Sequence, residues 1–214
     1  MYQLIVFDLD GTILDTLDDL ANAVNYALRE LGLPTRTKEE VRSFIGNGIA
    51  RLMSLAVGEQ HAHLHAQALQ GFKTYYGAHC NVETRAYDGI IELLNALKEK
   101  GVKIAVLSNK ADFAVKILAE EYFPNTFFIA QGENEQAGIR RKPAPDALFA
   151  IIKQAGVTAE ETLYVGDSEV DIQTANNAGV DCVSVTWGFK DEAFLKENGG
   201  TRIARTPSEI LRFL

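Results

Sequence analysis

The sequence predicts an α/β protein: a Rossmann-like parallel-sheet core with an inserted all-helical cap domain. Three observations carry that reading. The β-rich run Leu4-Ile5-Val6-Phe7 opens the chain and ends in Asp8-Leu9-Asp10-Gly11-Thr12. Strand signals then vanish for about one third of the chain in favour of helical periodicity. From Gly89 onward helix and strand alternate, the rhythm of a parallel sheet covered on both faces. The core is expected over 1–13 and 83–214, the helical cap over 14–82.

Each element has a local reason. In the insert, Thr16 and Asp19 have the spacing of a capping pair, and Leu17, Leu20, Ala21, Val24, Ala27, Leu28 and Leu31 make one apolar stripe before Gly32. Thr37 and Glu40 form a second capping box, opening a helix that carries Val41, Phe44 and Ile45 into Gly46-Asn47-Gly48. Two further helical stretches follow, around Leu52 to Leu55 and from about Gln60 to Tyr76. In the core, an amphipathic helix from Ile90 closes at Gly101, and a strand from Val102 to Leu107 ends in Ser108-Asn109-Lys110. Then come helix Phe113 to Leu118, strand Phe127 to Ile129, a polar loop, helix Ala147 to Ala155 and strand Leu163 to Val165. Helix Ile172 to Ala178, strand Cys182 to Val185 and a last helix from about Ser208 to Leu214 complete the chain.

The 214 residues suffice for one good core with a smaller insert, and 47% apolar with 23% charged residues is the balance of an ordinary soluble globule. A net charge of −8 provides no basic field, which argues against extended nucleic-acid or anionic-membrane binding. A small phosphorylated substrate stays compatible, since local cations can hold it. No apolar stretch reaches membrane-spanning length, and Met1 runs straight into a strand, so a cleaved signal is not expected. Cys80 and Cys182 lack CxxC spacing and read as free thiols of a cytoplasmic protein.

Strand alternation gives Asp8 and Asp10 the same facing, so both can reach one metal ion or one phosphate, while Gly11 lets the backbone turn away. That geometry suits a carboxylate nucleophile beside a carboxylic acid. A solvated turn is the ordinary alternative for an Asp-Gly pair. An EF-hand loop is excluded because Ile13 and Asp19 stand where its glycine and glutamate belong, and no P-loop string occurs. Ligands of open parallel sheets bind outside the carboxyl ends of the strands. That rule selects Asp8-Asp10, Ser108-Asn109-Lys110 and Gly166-Asp167-Ser168 as three parts of one site.

Taken in order, Asp8-Leu9-Asp10-Gly11-Thr12, Ser108-Asn109, Lys142-Pro143, and Gly166-Asp167-Ser168 with Asp171 resemble the motifs of the haloacid dehalogenase superfamily of phosphohydrolases, over essentially the whole chain. The helical insert is similar to that superfamily's C1 cap. The resemblance assigns Asp8 as nucleophile and Asp10 as acid and base, roles that phosphomonoester hydrolysis itself requires. Mg²⁺ takes hard oxygen ligands, here Asp8, the backbone carbonyl of Asp10 and Asp167. Asp171, one helical turn beyond Asp167, would act through a water or a neighbouring ligand, with helix capping as its ordinary alternative. Ser108 and Asn109 can donate to phosphoryl oxygens, and Lys142, stiffened by Pro143-Ala144-Pro145, can neutralise Asp8 and the transition state. The implied partner is a small phosphomonoester bound by a monomer or homodimer.

In the cap, Gly46 and Asn47 sit in a flexible interruption that is at least a helix–helix turn. The resemblance implies that such a loop binds the leaving group. Arg51 could meet a substrate carboxylate or simply be solvated. His61, His63, His65 and His79 read as an exposed helix face, because only His61 and His65 have chelating spacing and nothing completes a site. Arg140 and Arg141 read as surface charge, and Trp187-Gly188-Phe189 as packing and a turn without direct chemistry. The strings around Gly46, Tyr87, Asn109, Asp167 and Trp187 point within the superfamily to 2-phosphoglycolate as leading substrate, although Asp88 and Ala111 stand where many relatives have proline. The rivals are a pyrophosphatase, a broad sugar or nucleotide phosphatase and a sugar phosphomutase. A dehalogenase would not need Asp10, and a binding protein would not need Asp8, Asp10 and Lys142 together.

Overall fold

The computed structural model describes residues 1–134 and 138–214, so part of the expected polar loop after Ile129 lies outside the described residues. The chain divides into two compact units, Met1–Leu14 with Ala86–Leu214, and Asp15–Arg85.

The first unit is built on six parallel strands in the order β5-β4-β1-β6-β7-β8: β1 (Leu4–Phe7), β4 (Lys103–Ala111), β5 (Ile129–Glu133), β6 (Thr162–Gly166), β7 (Asp181–Val185) and β8 (Ile203–Ala204). Strand β1 is central, and all four of its residues are fully buried, as a parallel strand covered on both faces requires. Its Leu4 and Val6 share one core cluster with Ala105, Leu107 and Tyr164, beneath helices α7 (Asp146–Ala155) and α8 (Glu169–Ala178). Alternation turns Ile5 and Phe7 to the opposite face. Helices α5 (Ile90–Glu99) and α6 (Asp112–Tyr122) pack against β4, and α9 (Glu192–Glu197) follows β7. Because the chain leaves β1 for β4 on one side and adds β6 on the other, the order reverses at β1. The crevice of a doubly wound sheet lies at such a point.

Three elements differ from expectation for identifiable reasons. The aromatic pair Phe127-Phe128 reads as strand, yet β5 begins at Ile129, and Phe128 is 47% exposed, its amide donating to Ile104 O at 2.7 Å. Strand β4 runs on past Leu107 to Ala111 through a register shift, so Ser108, Asn109 and Lys110 belong to an irregular strand end and not to a loop. The C-terminal helix is a 3₁₀ segment, Pro207–Phe213, with proline at its start. Strand β8, only two residues long, carries no readable sequence signal.

The second unit holds α1 (Leu17–Glu30), α2 (Lys38–Phe44), α3 (Gly48–Val57), a 3₁₀ turn (Glu59–Leu64) and α4 (His65–His79). The expected stripe of α1 is buried at Leu17, Leu20, Ala21, Val24, Ala27 and Leu28. Thr37 and Glu40 make the capping box, Glu40 N donating to Thr37 Oγ1 at 3.1 Å and Thr37 N to Glu40 Oε2 at 2.7 Å. Thr16 makes no side-chain cap. The expected partner Asp19 turns instead to the far end of the unit, where it accepts from the amides of Glu83 (3.0 Å) and Thr84 (2.9 Å) and from Thr84 Oγ1 (2.8 Å). A buried carboxylate gains more from three donors than from one cap. The two chain crossings, β2 (Leu14–Asp15) and β3 (Arg85–Ala86), pair as a short sheet of their own. Among the described residues no helix is long and apolar enough to cross a membrane.

Candidate active site

The site grows from the carboxyl ends of β1, β4 and β6. Asp8 directly follows β1, its amide held by Val165 O at 2.9 Å, and Gly11 then takes φ +82°, a left-handed turn that any side chain would strain. Asp167 follows β6. Lys142 enters from the segment before α7 through a cis Lys142–Pro143 bond, and is 4% exposed.

Lys142 is the hub. Its Nζ lies 2.7 Å from Asp171 Oδ1, 3.0 Å from Asp8 Oδ1 and 3.1 Å from the Tyr164 hydroxyl, one neighbour for each N–H of an ammonium. Burial alone lowers a lysine pKa, but the carboxylates of Asp171 and Asp8 outweigh it and hold Lys142 well above its ordinary value. Asp171 has both oxygens committed, Oδ1 to Lys142 and Oδ2 to the amide (3.1 Å) and hydroxyl (2.7 Å) of Ser168 at the start of α8. It thereby ties the Lys142 ammonium to the start of α8.

Asp8 Oδ1 is buried and, although close to Lys142, accepts no aligned hydrogen bond. Burial pushes the Asp8 carboxyl up to about 7, against the pull of Lys142 and with the repulsion of Asp171 and Asp10. Asp167 is likewise raised well above the carboxylate range, first by burial and then by Asp171 and Asp8. Among the described residues, the side chains grouped closely enough to hold a metal ion are Asp8, Asp167 and Asp171, with one ligand atom of each within 4.8 Å of the others. Two buried carboxylates that resist ionisation, one with an unsatisfied oxygen, fit a hard divalent cation such as Mg²⁺.

Around this centre, Ser108 and Asn109 are 4% and 7% exposed. Asn109 spends its side chain on the backbone of Lys142, accepting from Lys142 N at 2.8 Å and donating to Lys142 O at 3.0 Å. Ser108 Oγ accepts from Lys110 N at 3.3 Å, which leaves its hydroxyl proton to donate. Asp10 is ion-paired with Lys110, Nζ to Oδ1 at 2.8 Å. Gly46 and Asn47 belong to the helical unit, at the turn between α2 and α3, where Gly46 takes φ +123° and Asn47 is exposed, as is Arg51. Arg140 is exposed and paired with Asp146 at 3.0 Å. His65 and His79 are spent on the carbonyls of Gly58 (3.3 Å) and Tyr75 (2.8 Å).

Lys110, a cation at the end of an apolar strand, is legible as part of the site together with Ser108 and Asn109, but two other participants escape sequence reading. Tyr164, fully buried, lies 3.2 Å from Leu107 O and 3.3 Å from Asp171 Oδ1. The segment Trp187-Gly188-Phe189 is more than packing: the Phe189 amide donates to Asp167 Oδ2 at 2.6 Å, and the Trp187 indole to Thr12 O at 2.9 Å. A Cβ on Gly188 would overlap Gly11 O and the Asp167 side chain, so only glycine admits this approach. A backbone contact of this kind leaves no trace in residue type.

Residues 5–185 match the model of the haloacid dehalogenase-like hydrolases. The chain belongs to that family. Curated relatives agree on the phosphatase branch. A phosphoglycolate phosphatase of Pseudomonas syringae pv. tomato is 39% identical over 194 residues, covering 87% of this chain and 70% of the relative. Another, of Thiobacillus denitrificans, is 36% identical over 192 residues, covering 86% and 83%. A crystal structure from Lactobacillus delbrueckii subsp. bulgaricus superimposes with a TM-score of 0.92 at 39% identity, covering 98% of this chain and 96% of that one. The haloacid dehalogenase-like chain described here is a phosphatase, and its sheet order and helix flanks are those of the family's Rossmann-like core.

Proposed function

We propose that this phosphatase hydrolyses a small phosphomonoester, 2-phosphoglycolate first among candidates, through an aspartyl phosphate on Asp8 and with Mg²⁺ as cofactor. One observation carries the reading. Asp8 presents a buried carboxylate oxygen 3.0 Å from the Lys142 ammonium, and one oxygen of Asp8 lies within 4.8 Å of one of Asp167. The choice of substrate is supported by the names of the relatives at 39% and 36% identity.

Mg²⁺, held by Asp8, Asp167 and the Asp10 carbonyl, would supply positive charge between the nucleophile and a dianionic phosphate. The chain's own residues do the rest. The Asp8 carboxylate attacks phosphorus, the ester P–O bond breaks, and the Asp10 carboxyl gives its proton to the departing oxygen. Asp10, now ionised, takes a proton from water, which attacks the same phosphorus and frees Asp8 and inorganic phosphate. Lys142 pulls the Asp8 carboxyl toward its anion, against burial, and draws charge off the transferring oxygens. Ser108 donates its hydroxyl to those oxygens. Asn109 acts chiefly by fixing the Lys142 backbone, and Asp171 by fixing its ammonium.

A phosphate-release screen over a panel of phosphomonoesters, with and without Mg²⁺, tests the proposal. Release from phosphoglycolate ahead of sugar phosphates, nucleotides and pyrophosphate is expected, and only with the metal. Turnover of a sugar phosphate into its isomer, or full activity in chelator, would overturn it.

A further inference from the structure

Lys110 is a second buried ammonium in the site, 5% exposed, that the phosphoryl chemistry does not use. Its Nζ lies 2.8 Å from Asp10 Oδ1, whereas the ammonium facing the nucleophile is Lys142. The two lysines thus serve opposite ends of the reacting bond. We infer that Lys110 is a specificity-determining residue, which binds an anionic group, a carboxylate, on the leaving-group side of the substrate. The inference rests on the phosphatase mechanism proposed above and names the chemistry that would select its substrate.

The argument is positional. To protonate the departing oxygen, Asp10 must place one carboxyl oxygen on it at hydrogen-bond distance. Its other oxygen, Oδ1, is on Lys110, so Lys110 stands one carboxyl group away from the leaving oxygen. In phosphoglycolate the carboxylate oxygens are three bonds from that same oxygen, which brings them to the same place. An ammonium has three N–H donors, so its geometry allows contact with an Asp10 oxygen and a substrate carboxylate together. Burial gives such a contact its discrimination: in a site shielded from water a carboxylate gains charge–charge attraction from the ammonium that a neutral group does not. Strand geometry fixes the placement, because Lys110 is carried within β4 and its own amide is tied to Ser108 Oγ at 3.3 Å.

A purely structural partner of Asp10 would affect every substrate alike. The test is therefore a ratio: kcat/KM for 2-phosphoglycolate over kcat/KM for 2-hydroxyethyl phosphate, a neutral ester of similar length, in the full chain with saturating Mg²⁺. Lys110→Met is expected to lower that ratio by roughly 10²-fold, mostly through KM for phosphoglycolate, as loss of a buried charged partner does. Lys110→Arg, which keeps the charge, should keep most of the ratio. Lys110→Gln serves as the charge-free variant if the methionine variant does not fold. Arg51→Ala is the counter-test, expected to leave the ratio within about threefold, the spread of a solvated side chain. A wild-type preference for phosphoglycolate that survives in Lys110→Met, or that falls in Arg51→Ala instead, overturns the assignment and leaves the phosphatase mechanism standing. A wild-type enzyme without that preference overturns the phosphoglycolate reading, and the role of Lys110 with it.

Discussion

Lys142→Met should be costly in a pH-dependent way. The substitution keeps the aliphatic stem and removes an ammonium that touches Asp171 at 2.7 Å and Asp8 at 3.0 Å. Breaking a buried ion pair by deleting one partner costs about 3–5 kcal/mol, because the remaining charge stays buried without compensation. At about 2–4 °C per kcal/mol for a protein of this size, the melting temperature should fall by about 6–20 °C. The sign of the pH effect follows from Asp8, whose carboxyl is already up at about 7 in the folded protein against an ordinary 3.8. Between those values the native state binds more protons than the unfolded state, so stability falls as pH rises and levels off above the folded pKa. Without Lys142 the pull that opposed burial is gone and the folded pKa rises further. The variant must then keep losing stability at pH values where the wild type has levelled off.

The deficit against wild type should therefore be smallest near pH 5, where Asp8 is protonated in both, and should grow by at least about 1.4 kcal/mol per pKa unit of additional shift by pH 8. Thermal melts followed by circular dichroism, in chelator so that no cation replaces the lost charge, give both numbers. A deficit that is equal at pH 5 and pH 8, or that shrinks as pH rises, would refute the claim that Lys142 compensates Asp8.

Chelation should abolish phosphate release and Mg²⁺ restore it, whereas Ca²⁺, with longer bonds and higher coordination, should restore little; comparable rates with both ions would contradict the geometry. Asp10→Asn should slow phosphoglycolate hydrolysis by about 10²-fold or more, while an aryl phosphate such as p-nitrophenyl phosphate still phosphorylates Asp8 and the phosphoenzyme builds up. Equal slowing of both esters with no trapped phosphoenzyme would remove Asp10 from the acid–base role. Gly188→Ala should weaken Mg²⁺ binding measured by calorimetry, since its Cβ displaces the Asp167 carboxylate, and an unchanged affinity would show that the Trp187–Phe189 turn does not set that ligand. Titrating Mg²⁺ into weakly buffered protein near pH 6 should release protons from Asp8 and Asp167, both of which burial raises. A pH-stat that records no release would mean these two carboxylates are not displaced from their protonated form by the ion.

The parts of this fold that were legible in the sequence are those set by periodicity and by strand ends. Leu4 to Phe7 read as a buried strand because a parallel strand covered on both faces hides consecutive apolar residues, and this run is short and β-rich. Asp8, Ser108 and Asp167 could be assembled into one place because the sheet rule locates strand ends without any side-chain detail. Tertiary choice governed the rest. Asp19 had the spacing to cap α1 and went instead to the amides of Glu83 and Thr84, a partner 64 residues away that no local pattern shows. Asn109 has the residue type of a phosphate donor, and its clamp on Lys142 was not legible, because the two backbone groups it holds are 33 residues away. Phe189 enters through its amide, where residue type carries no information.

The charges of the site explain why these choices belong together. Fully ionised, Asp8, Asp10, Asp167 and Asp171 would bring four negative charges against the two positive ones of Lys110 and Lys142. Lys110 holds Asp10, and Lys142 holds Asp171 while reaching Asp8 without an aligned hydrogen bond. Two negative charges remain, and the carboxyls that burial pushes upward are those of Asp8 and Asp167. A single divalent cation is the least addition that cancels both. Asp171 has spent both of its oxygens on Lys142 and Ser168, whereas Asp8 Oδ1 accepts no aligned hydrogen bond and Asp167 Oδ1 has only a 3.4 Å contact from Thr12 Oγ1. On the mechanism proposed above, ionisation of Asp8 would be tied to occupancy of the metal site. Without a cation, burial holds the Asp8 carboxyl at about 7, and a bound divalent ion would favour the anion that attack on phosphorus requires.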